Sequence, residues 1–286
     1  MRLEQYQRPY EFLSVAGPFL EENEAENSIL LGVIGGLARA TAPSLARGGG
    51  DAPLLCAVQD AGHVVAAAIR TPPYKLLLSR GPAIAIAMIA DWLARGRQLL
   101  PGVVGPFESA QVFVTAWSRL SRQRAAAPRY IRAHRLDRVR DVPPVPGTMS
   151  PAAMADAELL SRWVAAFHAE IHEPAVTDPP VMVADAIARQ RLFVWRDAEL
   201  VSMAAWTAPT NHGVRIHSVY TPPAMRRRGY ATALVAALSR SLLKSGRRSC
   251  FLYSDLVNPT SNDIYARIGY EPVSDLAHYT FTAEGL

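Results

Sequence analysis

Lysine is nearly absent from this chain. Of its 286 residues only Lys75 and Lys244 are lysines, so the formal net charge of +5 is carried almost wholly by arginine. An arginine bias beside abundant alanine fits a coding preference as readily as a selected basic surface, and the charge does not argue for a nucleic-acid partner. Cysteine is equally scarce. Cys56 and Cys250 lie far apart, each inside an apolar strand-like run, which reads as buried reduced thiols of a cytoplasmic protein. Long apolar runs are missing too. The stretch Ile84 to Ala90 is broken by Asp91, far short of the ~20 residues a membrane span needs. The segment Met1 to Pro9 lacks the apolar centre of a signal peptide. No membrane partner and a cytoplasmic location are the expectation. Charged residues make up only 19% against 50% hydrophobic ones, a balance that excludes global disorder and supplies a packed core.

What is present reads as two domains. Val142-Pro-Pro-Val-Pro-Gly147 cannot continue regular structure, so the division falls between 1–141 and 142–286. In the first half, Leu54 to Val58 and Val64 to Ile69 flank a polar turn and predict a hairpin. Lys75 to Ser79 predicts a strand leading into a helix that ends near Arg97. Gly102 to Pro106 predicts another strand, before a helix carrying Val112, Phe113 and Ala116. Arg119 to Arg140 is arginine-rich, a solvated face in part, and Tyr130 to Val139 alternates like an edge strand. The glycines of Arg47 to Asp51 predict a flexible stretch.

The second half repeats this order. Asp156 is placed to cap a helix through Leu159, Trp163 and Phe167. A second helix and the strand pair Leu192–Trp195 and Leu200–Thr207 follow. Val64 to Pro73 parallels Leu200 to Pro209 without a gap, and Gly105-Pro106 occupies the slot of Asn258-Pro259. The period is domain-sized.

Chemistry concentrates in Thr221-Pro-Pro-Ala-Met-Arg-Arg-Arg-Gly-Tyr-Ala-Thr232, between a strand-like run (Val214 to Tyr220) and a helix-like one (Tyr230 to Lys244). The first N–H groups of a helix have no internal partner, and the helix dipole adds positive charge there. Gly229 lets the backbone approach a ligand, and Arg226, Arg227 and Arg228 add donors. This is a polyanion site. Its counterpart in the first half, Ser79-Arg-Gly-Pro-Ala-Ile84, has no triple arginine.

Pro223 to Ala231 matches the Arg/Gln-x-x-Gly-x-Gly/Ala signature, and Asn258 to Tyr270 the second motif, of the GNAT superfamily of acyl-CoA-dependent N-acetyltransferases. The chain resembles that superfamily from Gly147 to Phe281, with a degenerate copy in front. The resemblance implies an α/β (α+β) fold of tandem domains. Each would have a mixed, mostly antiparallel sheet flanked by helices, with a splayed central strand pair in the C-terminal domain.

The resemblance also implies that acetyl-CoA is the co-substrate and that acetyl passes directly to a primary amine of a small molecule or peptide. Val219, Tyr220 and Thr221 would pair with the pantetheine arm, with the Val219 N–H polarising the thioester carbonyl. Backbone N–H groups from Arg227 through Gly229, Tyr230 and Ala231 to Thr232 would cradle the pyrophosphate. Asn258 would hold a pantetheine amide, and Tyr265 would protonate the thiolate.

Two groups compete for the role of base, His217 on the strand before the motif and Glu170 near a helix end. His168 and His172 have the spacing of a helical metal pair. No glutamate directly follows the first histidine, as it does in the zinc-protease helix, and Pro174 breaks the helix beyond, so no metal is expected. Two other readings stay open: a non-catalytic acyl-CoA-binding regulatory module, and a protein-lysine or N-terminal acetyltransferase. A homo-oligomer is also left open.

Overall fold

The computed structural model describes residues 1–39, 52–172, 177–207 and 209–283. The stretch expected to be flexible at 47–51 and the helix break expected at Pro174 lie outside the described residues. The chain forms two compact units. One comprises Met1–Ala133, Ser254–Val257 and Val273–Leu286, and the other His134–Tyr253 and Asn258–Pro272.

The first unit contains β1 (Arg2–Tyr6), α1 (Pro9–Glu21), α2 (Ser28–Arg39), β2 (Leu54–Asp60), β3 (His63–Arg70) and β4 (Leu76–Leu78). It continues with α3 (Ala83–Arg95), β5 (Gly102–Pro106), α4 (Phe107–Leu120), β6 (Gln123–Ala125) and most of β7 (Arg129–Leu136). Its strands run in the order β1-β2-β3-β4-β5. All neighbours are antiparallel except β4 and β5, which are joined through α3 and paired at Leu76↔Val103. The strands are apolar without alternating because both faces are covered. Leu54, Cys56, Val58, Ala66 and Ala68 meet Ile86, Ile89, Phe113 and Trp117 of α3 and α4. Leu55, Ala57, Ala67 and Ile69 point the other way, onto Phe12, Leu20, Leu30 and Ile34 of α1 and α2.

The second unit contains β8 (Thr148–Pro151), α5 (Ala157–Glu170), α6 (Pro179–Ala188), β9 (Leu192–Asp197) and β10 (Glu199–Trp206). It is completed by β11 (Gly213–Tyr220), α7 (Tyr230–Lys244), β12 (Ser249–Asp255) and α8 (Pro259–Ile268). The order β8-β9-β10-β11-β12 is antiparallel until the parallel pair β11–β12, again joined through a helix. One face packs Val201, Ala204, Val214, Ile216, Cys250 and Leu252 against α7 and α8. The other packs Met203, Ala205 and Tyr220 against Leu160, Trp163 and Val183 of α5 and α6. Each unit is thus a mixed, mostly antiparallel sheet between helices, the tandem α/β arrangement expected.

The units divide the chain differently from the proline-rich boundary at 141/142. Leu136, at the end of β7, is buried in the core of the second unit. The C-terminal strand β13 (Glu271–Ala283) pairs Leu276 to Thr280 with Pro106 to Gly102 of β5, and buries Ala277, Tyr279 and Phe281 in the first unit's core. A proline cluster marks where regular structure stops. It carries no information on which core the later strands enter. Nor is β7 a solvated edge, since Ala133, His134 and Leu136 are all buried. Asp156 precedes α5 as expected, but its carboxylate accepts from the Ala153 N–H at 3.2 Å instead of capping the helix. No helix among the described residues is long and apolar enough to cross a membrane.

Candidate functional site

The site begins in the backbone of β11. Against β10, Met203 pairs with Tyr220 while Ala205 pairs with His217, so three steps on β11 face two on β10. The extra residue is a β-bulge at Ser218 and Val219, with Ser218 at φ +50°. The bulge is fixed locally: the His217 Nδ1 lies 3.0 Å from the Ser218 hydroxyl. Ser202 Oγ, fully buried, donates to the Tyr220 carbonyl at 3.0 Å and lies 2.9 Å from Thr221 Oγ1. On its other side β11 pairs with β12 for three residues only, the last pair being Arg215↔Phe251. The bulged end of β11 therefore keeps backbone groups outside both ladders.

Beyond Thr221 a single 3-10 turn, Pro223–Met225, leads to Arg227 at φ +60° and Gly229 at φ +84°. Gly229 is required twice over. Its φ is left-handed, and a Cβ would sit 2.9 Å from Val145 Cγ1. No side chain caps the N-terminus of α7, so the N–H groups of Tyr230, Ala231 and Thr232 remain available to an anion. Arg227 and Arg228 are exposed beside them.

Arg226 turns elsewhere. Its Nη2 donates to Glu170 Oε1 at 2.6 Å, its Nε donates to the Thr221 carbonyl at 2.8 Å, and its guanidinium lies 5.7 Å from the Tyr220 ring centre. The sequence placed Glu170 and Arg226 in different roles, and the structure brings them together. Tyr230 is buried, and its hydroxyl donates to Asp197 Oδ2 at 2.5 Å, which raises the phenol's pKa.

Tyr265 lies on α8, buried between the rings of His134 (6.1 Å) and Tyr270 (5.9 Å). Burial pushes its pKa up to about 12, so at neutral pH the hydroxyl keeps its proton to give. Asn258, an exposed residue, caps α8, its Oδ1 accepting from the Ser261 N–H at 3.1 Å. His217 is pushed down to about 3, first by burial and then by the positive field of Arg215 and by His168. It is a neutral imidazole at ordinary pH. His172 falls beyond the end of α5 with φ +53°, so the His168–His172 pair does not share a helical face. Among the described residues no cluster of three metal-ligating side chains occurs.

The corresponding turn in the first unit is closed by its own side chains. Ser79 Oγ accepts from the Ala67 N–H at 2.8 Å and donates to the Arg80 carbonyl at 2.8 Å. Arg80 is paired through two bonds, 2.8 and 2.6 Å, to the buried Glu26. A Cβ on Gly81 would strike Ala66 at 2.7 Å. That turn spends Ser79 and Arg80 on protein partners, although the start of α3 has no side-chain cap either.

Two groups went unnoticed in the sequence: Arg215, whose buried Nε has no hydrogen-bond partner, and Asp197, the partner of Tyr230. The signal for the first was there, an arginine inside the apolar alternation Val214-Arg-Ile-His.

The FR47-like protein family matches residues 194–279 of this chain. No curated protein matches the sequence. Among solved structures, a Drosophila protein aligns with TM-score 0.68 at 13% identity over 99% of both chains. A GCN5-related N-acetyltransferase from Sphaerobacter thermophilus aligns with TM-score 0.62 at 16% identity, over 99% of this chain and 97% of that one. A tandem GNAT protein from the clavulanic acid biosynthesis pathway aligns with TM-score 0.55 at 15% identity, over 100% and 99%. The bulged, parted strand leading into an uncapped helix, together with these alignments, defines the class: the chain has the tandem GNAT fold. The two motifs that resemble that superfamily's both lie in its second unit.

Proposed function

We propose that the second unit transfers acetyl from acetyl-CoA directly to a primary amine. The observation that carries this reading is the coincidence, within one strand and one turn, of three features. The β11–β12 ladder stops at Arg215, β11 bulges at Ser218, and α7 begins uncapped behind the left-handed Gly229. The first two leave backbone groups at the bulge around Val219 outside both ladders, which suits an extended pantetheine arm along Val219, Tyr220 and Thr221, although the Tyr220 and Thr221 carbonyls already accept from Ser202 and Arg226. The third, with Arg227 and Arg228 alongside, suits a pyrophosphate. Acetyl-CoA is the co-substrate that has both parts.

Burial and charge support the following catalytic roles. The Val219 N–H is the donor for the thioester oxygen, where negative charge develops. Tyr265 is the proton donor to the departing thiolate, since burial, which pushes its pKa up to about 12, keeps the phenol protonated at neutral pH. Asn258 contributes its amide to the arm while capping α8. For the base we take His217 over Glu170 on its position beside Val219 and not on its basicity, since a pKa lowered to about 3 makes it a weak proton acceptor. His217 is neutral and sits two residues before Val219, whereas the Glu170 carboxylate is held by Arg226. In this reading Arg226 and Glu170 fasten the end of α5 to the turn that cradles the pyrophosphate.

The test is thiol release from acetyl-CoA across a panel of amines. Amine-dependent, saturable release supports transfer. Tight binding of acetyl-CoA with no release under any amine would assign the fold to a binding module instead.

A further inference from the structure

We propose that the acceptor amine carries a carboxylate, and that Arg215 binds it. This rests on the acetyl-transfer reading above and names its acceptor class. Val214 and Ile216 of β11, like Cys250 and Leu252 of β12, enter the core under α7. Strand alternation therefore sends Arg215, His217 and Tyr253 to the opposite face of the sheet. That is the face on which Tyr220 meets Trp163 of α5 at 6.1 Å.

The Arg215 guanidinium lies 6.0 Å from the Tyr253 ring centre. Its Nε is buried without a hydrogen-bond partner, and among the described residues no carboxylate pairs with it. A guanidinium stays charged wherever it is put, and a buried charge left unpaired is costly. Two other arginines among the described residues are paired with carboxylates. Arg80 is paired through two bonds with Glu26, and Arg132 through two bonds of 2.6 and 2.8 Å with Asp275. Arg215 has neither partner, and it occupies the last rung before β11 and β12 part.

From there Val219 is four residues along the strand, about 13 Å of backbone that the arginine's own reach shortens. A molecule with its amine at Val219 and a carboxylate a few bonds away would meet both, the carboxylate taking the planar two-pronged pairing that arginine favours. A single guanidinium beside a neutral imidazole suits one negative charge better than the two of a phosphate monoester. The pairing has a second consequence. A carboxylate on Arg215 offsets the positive field that helps hold the His217 imidazole below its ordinary pKa, so the acceptor itself improves the base that receives its proton.

The experiment compares matched acceptors, phenylalanine against 2-phenylethylamine and lysine against cadaverine, in the wild type, Arg215→Met and Arg215→Lys. The wild type is expected to favour the carboxylate-bearing member in kcat/KM by roughly tenfold to a hundredfold. Arg215→Met is expected to bring that ratio close to one, and Arg215→Lys to keep part of it. Ratios within one variant do not depend on how much of it folds. No preference in the wild type, or a preference that survives in Arg215→Met, overturns the proposal.

A binding arm is independent of turnover: N-acetylglycine against N-methylacetamide, titrated with CoA present. Preferential binding of N-acetylglycine that is lost in Arg215→Met upholds the site even if no amine is ever acetylated, which would sink the acetyl-transfer reading alone. Equal binding of the two, beside ready acetylation of amines, sinks the carboxylate site and leaves acetyl transfer standing.

Discussion

Tyr265 carries the sharpest expectation at the scale of single residues. Its hydroxyl is the only feature of the phenol that Tyr265→Phe removes, and the ring contacts to His134 and Tyr270 remain. Steady-state kinetics should therefore show turnover reduced by roughly a hundredfold or more with acetyl-CoA affinity nearly unchanged. Glu170→Gln is expected to lower turnover by less than about tenfold, since general-base losses usually run to a hundredfold or beyond; a loss of that larger size would return the base to Glu170. His217 makes a prediction in stability. Its pKa is about 3 when folded against 6.5 as the ordinary value, so between those limits the unfolded chain binds the extra proton. Stability contributed by the neutral imidazole is full above pH 6.5 and is lost as pH falls toward 3. Acid titrations of unfolding should show a shallower loss over that window in His217→Gln.

Elements explain what was legible in the sequence and what was not. The central strands and α7 were readable because burial on one or both faces leaves a plain pattern: Leu234, Leu238 and Leu242 recur at helical spacing and are buried. The Asn258–Pro259 start of α8 was readable because capping is local chemistry. β1 was not, since Arg2 to Tyr6 shows no apolar alternation and is a strand only because β2 pairs with it. β8 is a further case, four residues held by β9. In the site, the polyanion turn announced itself through Arg226 to Ala231. The Arg226–Glu170 pair did not, because 56 residues separate the partners. Gly229 ties local chemistry to the element. Gly229→Ala should cost about 1–2 kcal/mol for the left-handed backbone and weaken acetyl-CoA binding by shifting the start of α7. Calorimetric melting and titration read the two effects separately.

At the scale of the whole molecule, the C-terminal strand decides what can be separated. β13 closes the sheet of the first unit against β5, so a fragment cut at 141/142 would carry Ala277, Tyr279 and Phe281 without the core that buries them. An unpaired apolar strand invites association, and the 142–286 fragment is expected to aggregate where the intact chain stays monodisperse in light scattering. Two units of one architecture also supply an internal control. The same strand–turn–helix occurs after β4 and after β11, and neither helix start has a side-chain cap, but Ser79 and Arg80 are taken by protein groups in the first while Arg227 and Arg228 stand exposed in the second. Hydrogen exchange of the intact protein with and without acetyl-CoA puts that difference to the test. The account predicts new protection across residues 216–232 and 258–265 and none across 76–86. Protection at the turn after β4, or none at the start of α7, would contradict it.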